Sequence, residues 1–361
     1  MGGKVMIAMS GGVDSSVAAC LLSEQGFDCT GVTMKLFDNE GVGLDREDTC
    51  CSALDAEDAR SVAHKLGIPH FVFNLSRDFA EHVIKRFVDG YMAGRTPNPC
   101  IDCNRFVKFE KLFARARASG HDYIATGHYA RVERDESGRF RLLKSIDESK
   151  DQSYVLYSMT QDQLAHTLFP LGGMTKAEVR AIARARGFRN AAKGESQDIC
   201  FVPDGDYANF IERLLPHSPG GGDFIDESGR VIGRHGGHIR YTIGQRRGLG
   251  VGFSRRMFVV GKNPADNTVT LAGEEALYSK VLYADEINLI TVDALDGRAR
   301  VTVRTRYRQT EQPAVAEAAG DGIMRVEFDV PQRSFAPGQA VVLYDGDAVF
   351  GGGTIRETRA K

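Results

Sequence analysis

Lys4-Val-Met-Ile-Ala-Met-Ser-Gly-Gly-Val-Asp-Ser-Ser16 joins a strand, a turn and the start of a helix. The apolar run 4–9 predicts a buried first strand. Gly11 and Gly12 break it, and from Val13 the residues Val13, Val17, Cys20 and Leu21 share one helical face. Glycines without a Cβ let backbone N–H groups approach a phosphate, and a helix N-terminus adds positive potential. Ser10, Ser15 and Ser16 add hydroxyls, and Asp14 brings a carboxylate suited to bridging Mg²⁺ to phosphate oxygens. Two glycines alone would read as an ordinary strand-to-helix turn. The whole string in its strand–turn–helix setting favours an anion site. It matches neither a Walker loop, G-x-x-x-x-G-K-[ST], nor a G-x-G-x-x-G dinucleotide turn.

Outward from this stretch, the pattern alternates. Strands are predicted at 27–34, 70–74 and 121–126, with helices at 52–66 and 77–92, another through Phe106 to Ala116, and one at 175–186. The last opens with a capping box, Thr175 and Glu178. Between 95 and 100 two prolines exclude helix and leave an extended connection. On the helix that follows, Phe106, Phe109, Phe113 and Ala116 form the apolar side, while Lys108, Lys111 and Arg115 read as a solvated stripe. Such alternation implies an α/β fold, a doubly wound parallel sheet with its ligand at the carboxyl ends of the strands. Segment 10–16, Met34 and Gly127-His128 all fall at such ends. The segments 131–134 and 139–143 form an inserted hairpin. The glycine patterns at Gly41, Gly43 and at Gly248, Gly250, Gly252 read as loops.

A chain of 361 residues holds two or three domains. The expected division is 1–208, a catalytic domain; 209–275, a basic, glycine-rich central domain; and 276–361, a C-terminal antiparallel β-barrel. A net charge of -2 argues against a globally basic protein but leaves room for a local basic face. No run reaches membrane-span length, and the first residues lack a signal pattern, so no membrane role is expected. Seven cysteines in a long chain do not form a secreted framework and point to a reducing cytoplasm.

From 229 to 262 there are eight Lys or Arg and no Asp or Glu. Further on, strand alternation turns Val301 and Val303 inward and Thr302, Arg304, Arg306 and Arg308 outward, with Tyr307 offering a ring. Together these favour RNA over duplex DNA, for which no helix-turn-helix or zinc-finger pattern exists.

Cys100-Ile-Asp-Cys103 is a lone CxxC, without the further ligands of a tetrahedral zinc site. Adjacent Cys50 and Cys51 chelate poorly and read as free thiols, and Cys20 and Cys29 as core. Two functional readings of Cys100, Cys103 and Cys200 stay open. Cys103 and Cys200 act as redox partners, one carrying a persulfide, or the three thiolates hold an iron–sulfur cluster, [4Fe-4S], with one iron open.

The SGGVDSS string resembles the PP-loop of ATP pyrophosphatases, and the chain as a whole resembles the bacterial tRNA-specific 2-thiouridylases. The likeness runs through residues 9–16, Cys50-Cys51-Ser52, Pro97-Asn98-Pro99, Cys103-Asn104, Ala125-Thr-Gly-His-Tyr129, Lys150-Asp-Gln-Ser153 and Ser196-Gln-Asp-Ile-Cys-Phe201. It continues in Ile243-Gly-Gln-Arg246, Arg306-Tyr-Arg-Gln309, Pro337-Gly-Gln339 and Gly351-Gly-Gly353.

The resemblance implies sulfur replacing O2 of the wobble uridine in tRNAs for Lys, Glu and Gln, using ATP and Mg²⁺. A cysteine desulfurase or sulfur-carrier protein would be the donor. It assigns ATP to Ala8, Met9, Ser10, Gly11, Gly12, Val13, Asp14, Ser15, Met34 and Gly127. It assigns the target base to Asn98, Pro99 and Cys100, and tRNA contacts to His128, Lys150, Asp151, Gln152, Arg306, Tyr307 and Gln339. Cys103 would be the nucleophile and Cys200 the persulfide carrier. Many family members carry Asp, a proposed general acid/base, where this chain has Cys100; Asp102 is two positions away. Competing readings are a sulfur-free PP-loop ligase and a non-catalytic tRNA-binding module.

Overall fold

A computed structural model describes residues 2–37, 53–194, 199–215, 217, 219–253 and 255–359. Gly41, Gly43, the Cys50-Cys51-Ser52 motif and the 196–198 part of the Ser196–Phe201 motif lie outside the described residues. The chain divides into two compact units: residues 1–84, 99–206 and 346–349, and residues 85–98, 207–345 and 350–361.

The first unit is built on β1 (Lys4–Ala8), followed by α1 (Val13–Glu24), β2 (Asp28–Lys35), α2 (Ala53–Leu66) and β3 (His70–Asn74). The next helical stretch is not one regular helix. It runs as α3 (Ser76–Phe79), a π turn at Ala80–Ile84 and α4 (Lys85–Met92), and the chain leaves the first unit at the junction of the last two. Chain re-enters at α5 (Pro99–Asp102), which corrects the expectation that Pro99 and Cys100 are extended. Proline is at home in the first helical position, where its missing N–H would have no partner anyway. Cys103–Leu112 then follows as a π-helix, an uncommon winding, before α6 (Phe113–Ala118) and β4 (Tyr123–Ala125). A hairpin, β5 (Ala130–Arg134) and β6 (Phe140–Lys144), precedes α7 (Gln161–Ala165), β7 (Thr167–Leu168) and α8 (Lys176–Ala185). The Thr175–Glu178 capping box is formed as expected.

The sheet is parallel in the order β3-β2-β1-β4-β7. Val5, Ile7 and Met9 meet Val13, Val17 and Cys20 of α1 and Ala59, Val62 and Ala63 of α2 in one core. Because β1 is central, it reads as a nearly continuous apolar run. The hairpin finds its third partner from far along the chain. Ala348 is in register with Leu143, and the Lys144 N–H and Nζ donate to the carbonyls of Asp347 and Gly346 at 2.9 and 3.0 Å.

The second unit adds α9 (Tyr207–Leu214), then a four-stranded sheet from β8 (Gly222–Ile225), β9 (Val231–His235), β10 (Phe258–Asn263) and β11 (Thr268–Ala272). Phe224, Tyr241, Met257, Val259 and Leu271 fill its core. Next come β12 (Tyr278–Leu289), β13 (Arg298–Arg304), β14 (Gln312–Ala318), β15 (Met324–Arg333), β16 (Ala340–Asp345) and β17 (Ala348–Arg359). They pair in the order β12-β15-β14-β13-β16-β17, and β12 pairs with β17, closing the expected antiparallel barrel. At the closing seam a Cβ on Gly351 would lie 2.5 Å from the Asn288 carbonyl oxygen, and one on Gly353 2.7 Å from that of Asp285. The three-glycine motif is therefore where two strands approach too closely for a side chain. Among the described residues no helix is long and apolar enough to cross a membrane.

Gly351→Val should lower the urea midpoint, a destabilisation of roughly 1–3 kcal/mol by overpacking the seam. An unchanged midpoint would show that the barrel does not need this close approach.

Candidate functional site

Ala8 and Met9, Met34 and Gly127 stand at the carboxyl ends of β1, β2 and β4, three adjacent strands. The segments expected to converge do so. Gly11 has φ +73°, and a Cβ there would stand 2.3 Å from the Asp55 carbonyl oxygen. A Cβ on Gly127 would be 2.7 Å from the Ser15 amide nitrogen. Gly11 is required by conformation as well as contact, and Gly127 by contact alone.

Gly12 is the N-cap of α1 and offers no side chain to cap it, which leaves the first-turn N–H groups available to an anion. The Ser10 amide donates to Ser15 Oγ at 3.2 Å, and the hydroxyls of Ser15 and Ser16 donate to the Gly12 carbonyl at 3.2 and 2.9 Å. Asn190 Nδ2 donates to the Gly11 carbonyl at 2.8 Å and to Ser16 Oγ at 2.9 Å, tying the loop from behind.

Asp14 is not left as a bare charge. Lys176 Nζ lies 2.7 and 2.8 Å from its two carboxylate oxygens, and Tyr129 OH donates to Oδ1 at 2.8 Å. Sequence reasoning missed Lys176, Tyr129 and Asn190 as parts of this site, because each arrives from a distant segment. One carboxylate beside a phosphate-binding loop fits Mg²⁺, which takes few protein ligands and the rest from phosphates and water.

Cys103 opens the π-helix and is buried; Cys100 is exposed and Cys200 half-buried, and none of the three is bridged. Burial pushes the Cys103 thiol up to about 11, Lys108 opposes the rise, and Cys100 and Asp102 add to it. A π-helix bonds residue i to i+5, and Lys108 stands five positions after Cys103 on this winding. The stripe read as solvated thus contains a cation that acts on the candidate nucleophile. Phe201, next to Cys200, packs edge-on against Phe79 at 5.7 Å, and the π-helix bearing Cys103 packs on the same α3. Both thiol-bearing segments flank one short helix. Among the described residues no group of three or more His, Cys, Asp or Glu is arranged to hold a metal. Cys100, Cys103 and Cys200 do not fit an iron–sulfur cluster in this arrangement.

The residues associated with tRNA are placed unevenly. His128 is buried between Phe109 and Phe169, its Nδ1 is 2.6 Å from Thr126 Oγ1, and burial holds it neutral. Asp151 accepts from the Ser145 and Ser153 amides and the Ser153 hydroxyl, and Gln152 Oε1 accepts from the Tyr129 amide at 2.9 Å. Lys150 is half-buried beside them.

In the second unit, Gln339 Nε2 donates to the Thr96 carbonyl at 2.7 Å, the Thr96 amide donates to the Pro337 carbonyl at 2.7 Å, and Gly338 has φ +91°. This clasp fixes the approach to Asn98, which is half-buried, and through the chain to buried Pro99. Arg306 donates to the Ser334 carbonyl at 2.9 Å, while Tyr307 is exposed. β13 ends at Arg304, whose guanidinium pairs with Glu311 at 2.8 Å and lies over the Tyr344 ring, so it is not a free phosphate contact.

Family profiles match three consecutive segments: a tRNA methyl transferase HUP domain at 3–204, a tRNA methyl transferase PRC-barrel domain at 208–273 and an aminomethyltransferase β-barrel domain at 279–355. Similar curated proteins include the tRNA-specific 2-thiouridylase MnmA of Clostridioides difficile, 48% identical over 359 residues that cover 99% of each chain. That of Desulforamulus reducens is 50% identical and covers 98% of this chain and 97% of its own. That of Moorella thermoacetica is 51% identical, with 97% and 98% covered.

Iodoacetamide at neutral pH should alkylate Cys103 at least about tenfold more slowly than Cys200, since a buried, protonated thiol is a poor nucleophile. The Cys103 rate should climb as pH rises toward about 11, its raised pKa, and Lys108→Met should slow it further at any given pH below that. Peptide mapping by mass spectrometry reads both sites, and equal neutral-pH rates would contradict the burial argument.

Proposed function

Because the chain belongs to the tRNA-specific 2-thiouridylase family, we propose that it exchanges O2 of a tRNA wobble uridine for sulfur at the expense of ATP. The observation that carries the reading is the strand–loop–helix anion site in the same unit as Cys103 and Cys200, whose segments share one supporting helix.

A urea-like carbonyl oxygen leaves poorly, so it is first made into an ester. Uridine O2 attacks the α-phosphorus of ATP and pyrophosphate departs, leaving an O-adenylate. The N–H groups at the start of α1, with Ser10 and Ser15, face the charge that builds on the leaving phosphates. Asp14 would hold Mg²⁺, which supplies neutralisation of those phosphates. Lys176, now on Asp14, is a second cation within reach of the same charge.

The terminal sulfur of a Cys200 persulfide then attacks C2 of the uridine. The Cys103 thiolate attacks Cys200 Sγ, the S–S bond to the transferred sulfur breaks, and its electron pair forms C2=S as AMP leaves. A Cys103–Cys200 disulfide remains, which two electrons from a cellular reductant reopen. Cys103 must lose its proton for this step, which its present burial opposes and Lys108 favours. The persulfide itself comes from a cysteine desulfurase or sulfur-carrier protein, and a reducing cytoplasm suits thiols that must reopen.

In this reading, 1–208 does the chemistry, while 209–275 and 276–361 hold RNA. Asn98, Pro99 and Cys100 border the uridine, which must leave its stack to be reached. Arg306, Tyr307 and Lys150 meet the anticodon arm of tRNAs for Lys, Glu and Gln. His128, Asp151, Gln152 and Gln339 serve them by holding loops in place.

Protein incubated with ATP, Mg²⁺, a sulfur donor and unmodified tRNA should yield 2-thiouridine on nucleoside analysis. If no sulfur source gives a thionucleoside, the proposal fails; a methylated uridine formed with a methyl donor would favour methyl transfer instead. Cys200→Ser should abolish sulfur transfer yet retain tRNA-dependent pyrophosphate release. Loss of both activities would argue against separate adenylating and sulfur-carrying groups.

A further inference from the structure

The eight cations of the acid-free run 229–262 are divided by folding into two sets. Arg230 pairs with Asp226 at 3.0 Å, Arg234 with Asp223 at 2.8 Å and Arg240 with Glu212 at 2.5 Å. Lys262 is drawn inward and donates to the Tyr241 carbonyl at 2.9 Å. Arg246, Arg247, Arg255 and Arg256 are exposed. Among the described residues no ion pair engages them.

Three of these four, Arg246, Arg247 and Arg256, surround an open cavity of about 530 Å³ together with Arg333, Phe258 and Glu274. Glu274 lies 3.5 Å from Arg333, so the lining sets four guanidinium groups against one carboxylate. The Arg333 guanidinium lies over the Phe258 ring at 5.3 Å, which covers the aromatic surface there.

The loop bearing Arg246 and Arg247 is fixed by its own bonds. Gln245 Oε1 accepts from the Thr242 amide at 3.0 Å, its Nε2 donates to the Arg247 carbonyl at 3.0 Å, and its carbonyl accepts from the Val259 amide at 2.9 Å. Gly244 and Gly248 take φ of +88° and +72° to make the turn. Gly244 also lies against the C-terminal barrel of the same unit. A Cβ there would stand 2.6 Å from Ser334 Oγ, a buried hydroxyl without a hydrogen-bond partner, and 3.8 Å from an Arg306 nitrogen. Arg306 thus stands beside Gly244, one of the residues that line the cavity.

We propose that this four-arginine cavity seats the phosphate backbone of tRNA, as a contact additional to Arg306 and Tyr307. The inference rests on tRNA being the substrate. Spread guanidinium groups on a preset loop suit successive phosphodiesters, which position an RNA without reading its sequence. A docked protein would call for an apolar centre, and the cavity's aromatic ring is capped by arginine. A free nucleotide would call for an open face on which to stack its base.

The test uses full-length protein and a tRNA transcript with uridine at the wobble position, followed by fluorescence anisotropy over a salt series. Arg246→Gln/Arg247→Gln should weaken binding roughly tenfold near 0.15 M salt and reduce the log–log salt slope by about two, because two phosphate contacts are lost. Arg256→Gln should reduce the slope by about one. Arg255→Gln, exposed in the same run but outside the cavity, should change affinity less than about twofold. Thermal melts and ATP binding matching the wild type show that each variant is folded. The seat is overturned if the double variant binds tRNA like the wild type, or if Arg255→Gln loses as much. Normal tRNA binding with impaired sulfur loading also overturns it, and would assign the cavity to an acidic donor protein. Failure of the wild-type protein to bind tRNA would overturn the substrate reading and the seat together.

Discussion

Two backbone approaches that leave no room for a methyl group set the geometry of the phosphate loop. Gly11 rests on the Asp55 carbonyl and Gly127 on the Ser15 amide. With those contacts made, three adjacent strand ends lie by the start of α1, whose N-terminus has no side-chain cap. Positive potential at that point comes from peptide dipoles, which need no counterion and no side-chain ordering. The side chains then adjust what the backbone has fixed. Lys176 and Tyr129 hold Asp14, and Asn190 holds the loop itself.

The thiol-bearing segment at Cys103 has the opposite character. Its groups are held in an unreactive state. Burial keeps the Cys103 thiol protonated, and the adjacent Asp102 and Cys100 strengthen that preference. Lys108 opposes it from one π turn away. A thiol sheltered in this way resists oxidation and stray alkylation, and would need a change in its surroundings before it could act as a nucleophile. The glycine loop is fixed by backbone contacts, whereas the reactivity of the thiol depends on its surroundings.

Much of this arrangement was legible in the sequence because its signals are local. A central parallel strand must be apolar throughout, so 4–9 announced itself, and the Thr175–Glu178 box marked its helix start. Alternation in the last eighty or so residues foretold a barrel, as each strand turns every second residue inward. What stayed hidden depends on distant partners or on uncommon winding. Nothing local distinguishes Pro99 in an extended loop from Pro99 at the first helical position. Lys108 looked solvated because its place was judged on a 3.6-residue period rather than on the π-helix it occupies. Acids outside the basic run decide which of its arginines are engaged, since Asp223, Asp226 and Glu212 precede it. Arg304 is paired by Glu311 from beyond its own strand.

The short segment 346–349 belongs with the first unit, although the residues on either side of it belong to the second. Lys144 meets Gly346 across 202 positions of chain. During synthesis the hairpin must therefore wait, one edge unpaired, until residues 346–349 have left the ribosome. Contacts this remote are slow to form, and an unpaired edge invites pairing with another chain. Neither unit can be obtained by a single cut, and a nascent chain halted before its final strand would carry an incomplete version of both.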